Sequence, residues 1–151
     1  FFYTYIPGRG KGLRARVRGA VGGLDVTLPN CQDYDLWLRV SERWPIYNLI
    51  EPLALYRVSQ SSLHTGNTER VLVCLLRIKE SAFQRNAAIR RIPLKHLDRY
   101  FYAIYLRLAR LYLDRRQSEQ ARAVLERYHQ ARGTTDAYKR LWAKSSIPAK
   151  T

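Results

Sequence analysis

The sequence predicts an α+β protein that is mostly helical, with one helix and two short strands in its first half and a helical hairpin bundle after them. Three observations carry that expectation. Apolar residues recur at helical spacing from Tyr34 and again through most of the chain beyond Gly66. Two short runs between these stretches, Ile46-Tyr47-Asn48-Leu49 and Leu53-Ala54-Leu55-Tyr56-Arg57-Val58, are rich in residues that suit a sheet. Pro93 and Gly133 punctuate the helical periods that follow.

Taken in order, Phe1-Phe2-Tyr3-Thr4-Tyr5-Ile6 reads as a strand. Residues 8–19 hold four glycines and the five positive charges of Arg9, Lys11, Arg14, Arg16 and Arg18, the pattern of a flexible basic segment. Gly22 and Gly23 permit backbone angles closed to other residues, and Leu28-Pro29-Asn30 reads as a turn into a helix. In that helix Tyr34, Trp37 and Leu38, with Leu36 and Val40, fall at the apolar period and leave Arg39, Glu42 and Arg43 to water. Asn30 is the expected cap, which places Gln32 and Asp33 in the first turn, where backbone N–H groups favour negative charge. The two strands come next, with Pro52 at the entry to the second.

After Gly66, Val71, Leu72, Leu75, Leu76 and Ile78 mark a helix over 68–85, broken by Arg90-Arg91-Ile92-Pro93. A longer helix over 94–115 carries Phe101, Ile104, Tyr105, Leu108, Leu111 and Tyr112 on one stripe, with Arg99, Arg107 and Arg110 turned elsewhere. Gln117-Ser118-Glu119-Gln120 opens another, burying Ala121, Val124, Leu125 and Tyr128 and ending before Gly133. Tyr105, Leu108, Ala109 and Tyr112 followed by Ala121 and Leu125 resemble a single tetratricopeptide-type hairpin, although one such hairpin is no array. The tyrosine stripe reads as core rather than as a ligand platform. Residues 136–144 form a last helix across the hairpin, and the end beyond it frays.

The candidate chemistry lies at the mouth of the first helix. Asp33 there either stabilises the helix start or serves as a base that takes a proton from a substrate hydroxyl. Gly22-Gly23-Leu24-Asp25, a turn, Gln32-Asp33-Tyr34-Asp35-Leu36-Trp37-Leu38-Arg39, then Glu51-Pro52-Leu53-Ala54-Leu55-Tyr56-Arg57-Val58 and Ser61-Ser62-Leu63 together resemble the carboxyl-terminal half of family 2 glycosyltransferases. These inverting enzymes of the GT-A type pass a sugar from a nucleotide-sugar donor to an acceptor hydroxyl in polysaccharide or cell-envelope glycan synthesis. The resemblance implies Asp33 as the catalytic base, Gln32 in place of the first acid of the family's acidic pair, Trp37 or Tyr34 packing beside the sugar site, and Arg57 facing the donor diphosphate. Arg57 has the alternative of an ion pair with a carboxylate such as Asp35.

The same resemblance implies a Mg or Mn ion in the full-length family, a nucleotide-sugar donor, and a glycan or lipid-linked acceptor. No metal ligand is identified in this chain. Ser59 stands where relatives carry a histidine, and Asp33 and Asp35 point about 200° apart on a helix, which argues against their sharing one ion. The organisation expected is then a basic segment over 1–19, the acceptor side of a transferase domain over 20–64, ending the sheet of a missing donor half, and a helical tail over 65–151. A donor half takes roughly another hundred residues, so the chain reads as a truncated copy, inactive alone, with open sheet edges and poor solubility.

The net charge of +15, from 27 Lys and Arg against 12 Asp and Glu, attracts nucleic acid, anionic lipid and nucleotide phosphate without choosing among them, or serves solubility alone. An anionic membrane surface fits a lipid-linked acceptor, while nucleic acid is not expected, since no RNA-binding signature is present. No apolar run reaches the roughly eighteen residues that span a bilayer, and no export signal stands at the amino end, so the expected location is cytoplasmic, peripheral at the inner face of the membrane. Cys31 and Cys74 lack ligand spacing and read as reduced thiols; His64, His96 and His129 form no motif and suit surface or boundary positions. The alternative function is a basic helical module that binds protein or RNA.

Overall fold

The computed structural model describes residues 12–47 and 68–146. The chain divides into two compact units, Phe1–Arg91 and Ile92–Thr151.

In the first unit, α1 (Ala15–Val21) rises from the basic segment that was expected to be flexible. Ala and Arg are good helix formers, and Val17 supplies a buried anchor. Gly22 ends α1 at φ 75°, ψ 174°, backbone that belongs essentially to glycine. The next helix, α2 (Gln32–Ser41), is capped by Cys31 in the left-handed region, not by Asn30 as expected. The Asn30 side chain instead accepts the N–H of Cys31 at 2.8 Å, and so holds the turn before the helix rather than the helix itself. Leu38 and Val40 are buried. Helix α3 (Thr68–Arg85) spans the residues its apolar period predicts and buries Leu72, Cys74, Leu76, Ile78, Lys79 and Ala82, an arc wide enough to need cover on more than one side. A 3-10 turn, Ala87–Arg91, follows, with Ile89 buried. Arg85 at the end of α3 grips Glu42 just past α2 in a two-point pair, Nε to Oε2 at 3.0 Å and Nη2 to Oε1 at 2.7 Å.

The expected sheet is corrected here. Among the described residues there is no strand, so the α+β class with a GT-A sheet remnant gives way to a helical architecture. Ile46 and Tyr47, the first half of one expected strand, lie in irregular backbone with 37% and 83% of their surface exposed. Strand propensity reports packing against a partner, and side chains this open have none to reward extended pairing. Asn48 and Leu49, the whole second strand over 53–58, and the strand proposed at 1–6 lie outside the described residues. Nothing therefore supports the open sheet edges that the strands implied.

In the second unit, α4 (Leu94–Leu97), a π turn (Asp98–Tyr102) and α5 (Ala103–Asp114) run on as one helix. Its buried residues explain the π turn. Leu97, Phe101, Tyr105 and Ala109 fall every fourth position, each step overshooting a full turn by about 40°, and a locally wider turn takes up the drift. Phe101 and Tyr102, neighbours in sequence, are then both buried, with ring centroids 4.8 Å apart. Arg115-Arg116-Gln117 turns the chain, with the N–H of Gln117 on the carbonyl of Tyr112 at 2.8 Å. Helix α6 (Ser118–Arg132) returns antiparallel, as expected, and buries Ala121, Val124, Leu125 and Tyr128. Tyr102 donates its hydroxyl to the carbonyl of Ala131 at 3.1 Å, and Arg132 forks onto Asp98, through Nε to Oδ1 and through Nη2 to Oδ2 at 2.9 Å. Gly133 closes α6 at φ 86°. Thr135 then caps α7 (Asp136–Ser145), accepting the N–H of Tyr138 at 3.2 Å while sharing a 2.9 Å hydrogen bond with the hydroxyl of Tyr128. Of the stripe expected to be core, Phe101, Ile104, Tyr105 and Leu108 are buried, while Leu111 and Tyr112 are half-buried.

Candidate functional site

The loop between α1 and α2 is built around Arg39. Asp35, 7% exposed, accepts Arg39 Nε at 2.9 Å and Nη2 at 2.8 Å. From that anchor the same guanidinium donates Nη1 to the carbonyl of Val21 and Nη2 to that of Gly23 at 2.9 Å. A residue on one turn of α2 thus ties down the loop that enters it, and Arg43 adds a bond to the carbonyl of Ala20 at 3.2 Å. Within the loop, Asp25 Oδ1 accepts both the N–H and the hydroxyl of Thr27, at 2.9 and 2.7 Å. Those two bonds, the hydroxyl's first, lower the Asp25 pKa below its ordinary value.

The predicted site residues fall as follows. Asp33 is exposed in the first turn of α2, and its Oδ1 accepts the N–H of Tyr34 at 2.8 Å. Gln32 donates Nε2 to the carbonyl of Leu28 at 2.7 Å and so fastens the turn ahead of the helix. Trp37 is half-buried on the same helix. Arg57 lies outside the described residues, and the partner found for Asp35 is Arg39. Asp33 faces solvent while Asp35 is buried against a guanidinium, so the two carboxylates do not fit one cation. Among the described residues no group of three or more His, Cys, Asp or Glu is placed to hold a metal.

Behind α2 the seam with α3 holds the ionisable groups of Lys79, Tyr34 and Cys31. Lys79 is 6% exposed, with Nζ 5.8 Å from the centre of the Tyr34 ring, and burial pulls its amine down to about 8. Burial pushes the Tyr34 hydroxyl up to about 12. It also pushes the Cys31 thiol up to about 11, with help from Cys74 and Asp33. Both cysteines are free thiols.

A second feature belongs to the second unit. Arg107 and Arg110 lie one turn apart on the exposed side of α5, and neither makes an ion pair among the described residues. Arg99, one element earlier on the same rod, sits 5.2 Å from the centre of the Tyr100 ring. The basic side chains were legible as residues turned away from the core period; that Arg107 and Arg110 form no ion pair among the described residues was not. Arg39 had a local signal in its i, i+4 spacing from Asp35, and Lys79 had one in its place on the buried arc of α3.

No family model matches the chain, and neither a curated protein nor a solved structure matches it significantly. The resemblance to the GT-A family 2 glycosyltransferases, with its tetratricopeptide-like tail, is therefore corrected: the described chain is helical without a strand, and no family match stands behind the shared short motifs. Gly-Gly loops, an acidic first turn and a Trp-containing helix are each dictated by local helix and turn chemistry, which unrelated chains satisfy alike. The Mg or Mn ion, the nucleotide-sugar donor and the lipid-linked acceptor have no support apart from that resemblance. Among the described residues no helix is long and apolar enough to cross a membrane.

Proposed function

We propose that the chain is a basic helical binding module that docks an acidic protein segment on the arginine-bearing side of the helix running from Leu94 to Asp114. One observation carries the reading: Arg107 and Arg110 stand exposed, a turn apart, and make no ion pair among the described residues, in a chain of net charge +15. Guanidinium groups are weakly hydrated and fork onto carboxylates, and arginine beside tyrosine is the composition that interfaces favour. The buried face of the same helix, from Leu97 to Ala109, holds the three-helix unit together and makes the exposed side a rigid platform. The module works in the cytoplasm, where its two free thiols stay reduced, and at the inner face of the membrane, whose anionic lipids attract its charge.

The test is fluorescence anisotropy with labelled oligoglutamate and a single-stranded RNA of equal length. Oligoglutamate should bind, and Arg107→Gln with Arg110→Gln should weaken it about tenfold, from the loss of two exposed pairs. If that variant binds as the wild type does, the site is elsewhere. If RNA alone binds, with a steep salt slope, the partner is nucleic acid.

A second reading concerns Asp33 by itself, apart from any family. Its exposed carboxylate accepts the adjacent N–H and leaves an oxygen for the proton of an acceptor hydroxyl, with Gln32 and Trp37 on the same helix, as sugar transfer in a longer protein with a donor site would need. In such a protein Asp33→Asn should lower transfer from a nucleotide-sugar about a hundredfold or more without altering donor affinity. Unchanged transfer would remove the role.

A further inference from the structure

The loop held by Arg39 presents apolar side chains outward. Leu24 is 55% exposed and Val26 91% exposed, the latter the most open large apolar side chain described. A loop that merely connected two helices would gain nothing from so much fixing of residues whose side chains stay in water. Several polar groups of the loop are meanwhile bonded within the unit: the carbonyls of Val21 and Gly23 accept Arg39, the carbonyl of Asp25 accepts the N–H of Leu28, and the N–H of Thr27 is taken by the Asp25 side chain. Those bonded groups cost less to bring to the headgroup boundary than free ones, and the Asp25 carboxylate between Leu24 and Val26 limits the insertion to the two side chains.

The surroundings are cationic. Asp25 is the only acid between Gly12 and Gln32, whereas Arg14, Arg16 and Arg18 are exposed on and before α1 and make no ion pair among the described residues. Arg43, bonded to the carbonyl of Ala20, adds a guanidinium at the foot of the loop. Two protruding side chains are too few for a protein interface, which needs roughly 800 Å² on each partner. An apolar tip that follows a cationic helix suits an anionic bilayer, whose headgroups meet the arginines while the tip reaches the acyl boundary.

We infer that the loop from Gly22 to Thr27, with the arginines of α1 at its base, docks the protein on an anionic membrane surface by inserting Leu24 and Val26. This names the contact surface for the membrane location proposed above and rests on that part of the reading, not on the acidic-partner site of the second unit.

The test is flotation of the full chain with vesicles of phosphatidylcholine alone and of phosphatidylcholine with phosphatidylserine. The chain should float with the anionic vesicles and not with the neutral ones. Leu24→Ser with Val26→Ser should lower its partition about tenfold or more, by the apolar surface withdrawn, and Arg16→Gln with Arg18→Gln about fivefold per charge. Val26→Trp should raise the partition and shift its emission to shorter wavelength on binding. Partition of the double serine variant equal to that of the wild type, or an absence of binding to anionic vesicles, overturns the inference. So does a loss seen only with Arg107→Gln and Arg110→Gln, which would move membrane contact to the other unit. Oligoglutamate binding by the double serine variant should be unchanged, so failure here and failure of the acidic-partner site read out separately.

Discussion

Replacing Arg39 by alanine should be the most costly single change on the surface of the first unit. The substitution leaves Asp35, whose side chain is 10% exposed against 19% for Arg39, as a buried carboxylate without its cation, and it releases the carbonyls of Val21 and Gly23. Removing one partner of a buried pair costs about 3–5 kcal/mol, and because water reaches part of this pair the lower end, about 3 kcal/mol, applies. The released carbonyls add little, since Gly23 is open to solvent and water replaces the guanidinium there. With a urea slope near 2 kcal/mol per molar, the midpoint should fall by about 1.5 M. Trp37 and Trp44 report on this unit, and Trp142→Phe silences the tryptophan of the other. Adding Asp35→Leu to Arg39→Ala should restore about half of the loss, because the stranded charge goes with it. A cost below about 1 kcal/mol, the level of an exposed pair, would refute the buried-clamp account.

Other outcomes follow from the same physical reasoning. Lys79, held near 8 against an ordinary 10.5, must carry its charge inside the seam below pH 8. Between those values the unfolded chain binds more protons, so this group lets stability rise with pH, by about 3 kcal/mol in all. Cys31 and Tyr34, held up to about 11 and 12 from 9.0 and 10.0, act in the opposite sense from pH 9 and pH 10 upward. Urea unfolding of Lys79→Met should therefore show a variant more stable than the wild type at neutral pH, with the gap closing toward pH 10.5; a gap that does not change with pH would acquit the amine. Gly133→Ala meets no atom within 4 Å but must adopt φ 86°, and a thermal melt should show a loss of about 1–3 kcal/mol. Thr135→Ala removes the cap of α7 and the hydroxyl partner of Tyr128, and calorimetry should show about 1–2 kcal/mol lost.

The helices were legible because each is set by a local period. Val71 to Ile78 at helical spacing gave Thr68–Arg85, and the alternation of Ala121, Val124, Leu125 and Tyr128 with Gly133 behind it gave Ser118–Arg132. Where the sequence misled, it did so through propensity without a partner. Ile46 and Tyr47 suit a strand, yet they follow Trp44-Pro45 out of α2 into exposed backbone, and Gly-spaced arginines that suit a flexible segment wind into α1 once Val17 finds a buried place. The Gly-Gly loop and its acidic helix start were visible as chemistry but not as a site. That the guanidinium of Arg39 would join Asp35 to two carbonyls some sixteen and eighteen residues away is a tertiary fact, as is the exposure of Val26 and the burial of Lys79.

What the sequence by itself determined is the helical content of the second unit, the turns that separate its helices, and the excess of positive charge, since each depends on neighbours no more than a turn or two away. The tertiary structure alone decided which charges are spent and which remain available: Asp35, Asp98 and Glu42 are matched by Arg39, Arg132 and Arg85, while Arg107 and Arg110 are left facing water. Apart from the i, i+4 pair of Arg39 with Asp35, pairing of this kind is a matter of distance and dielectric between residues far apart in the chain, and no periodicity in the sequence records it.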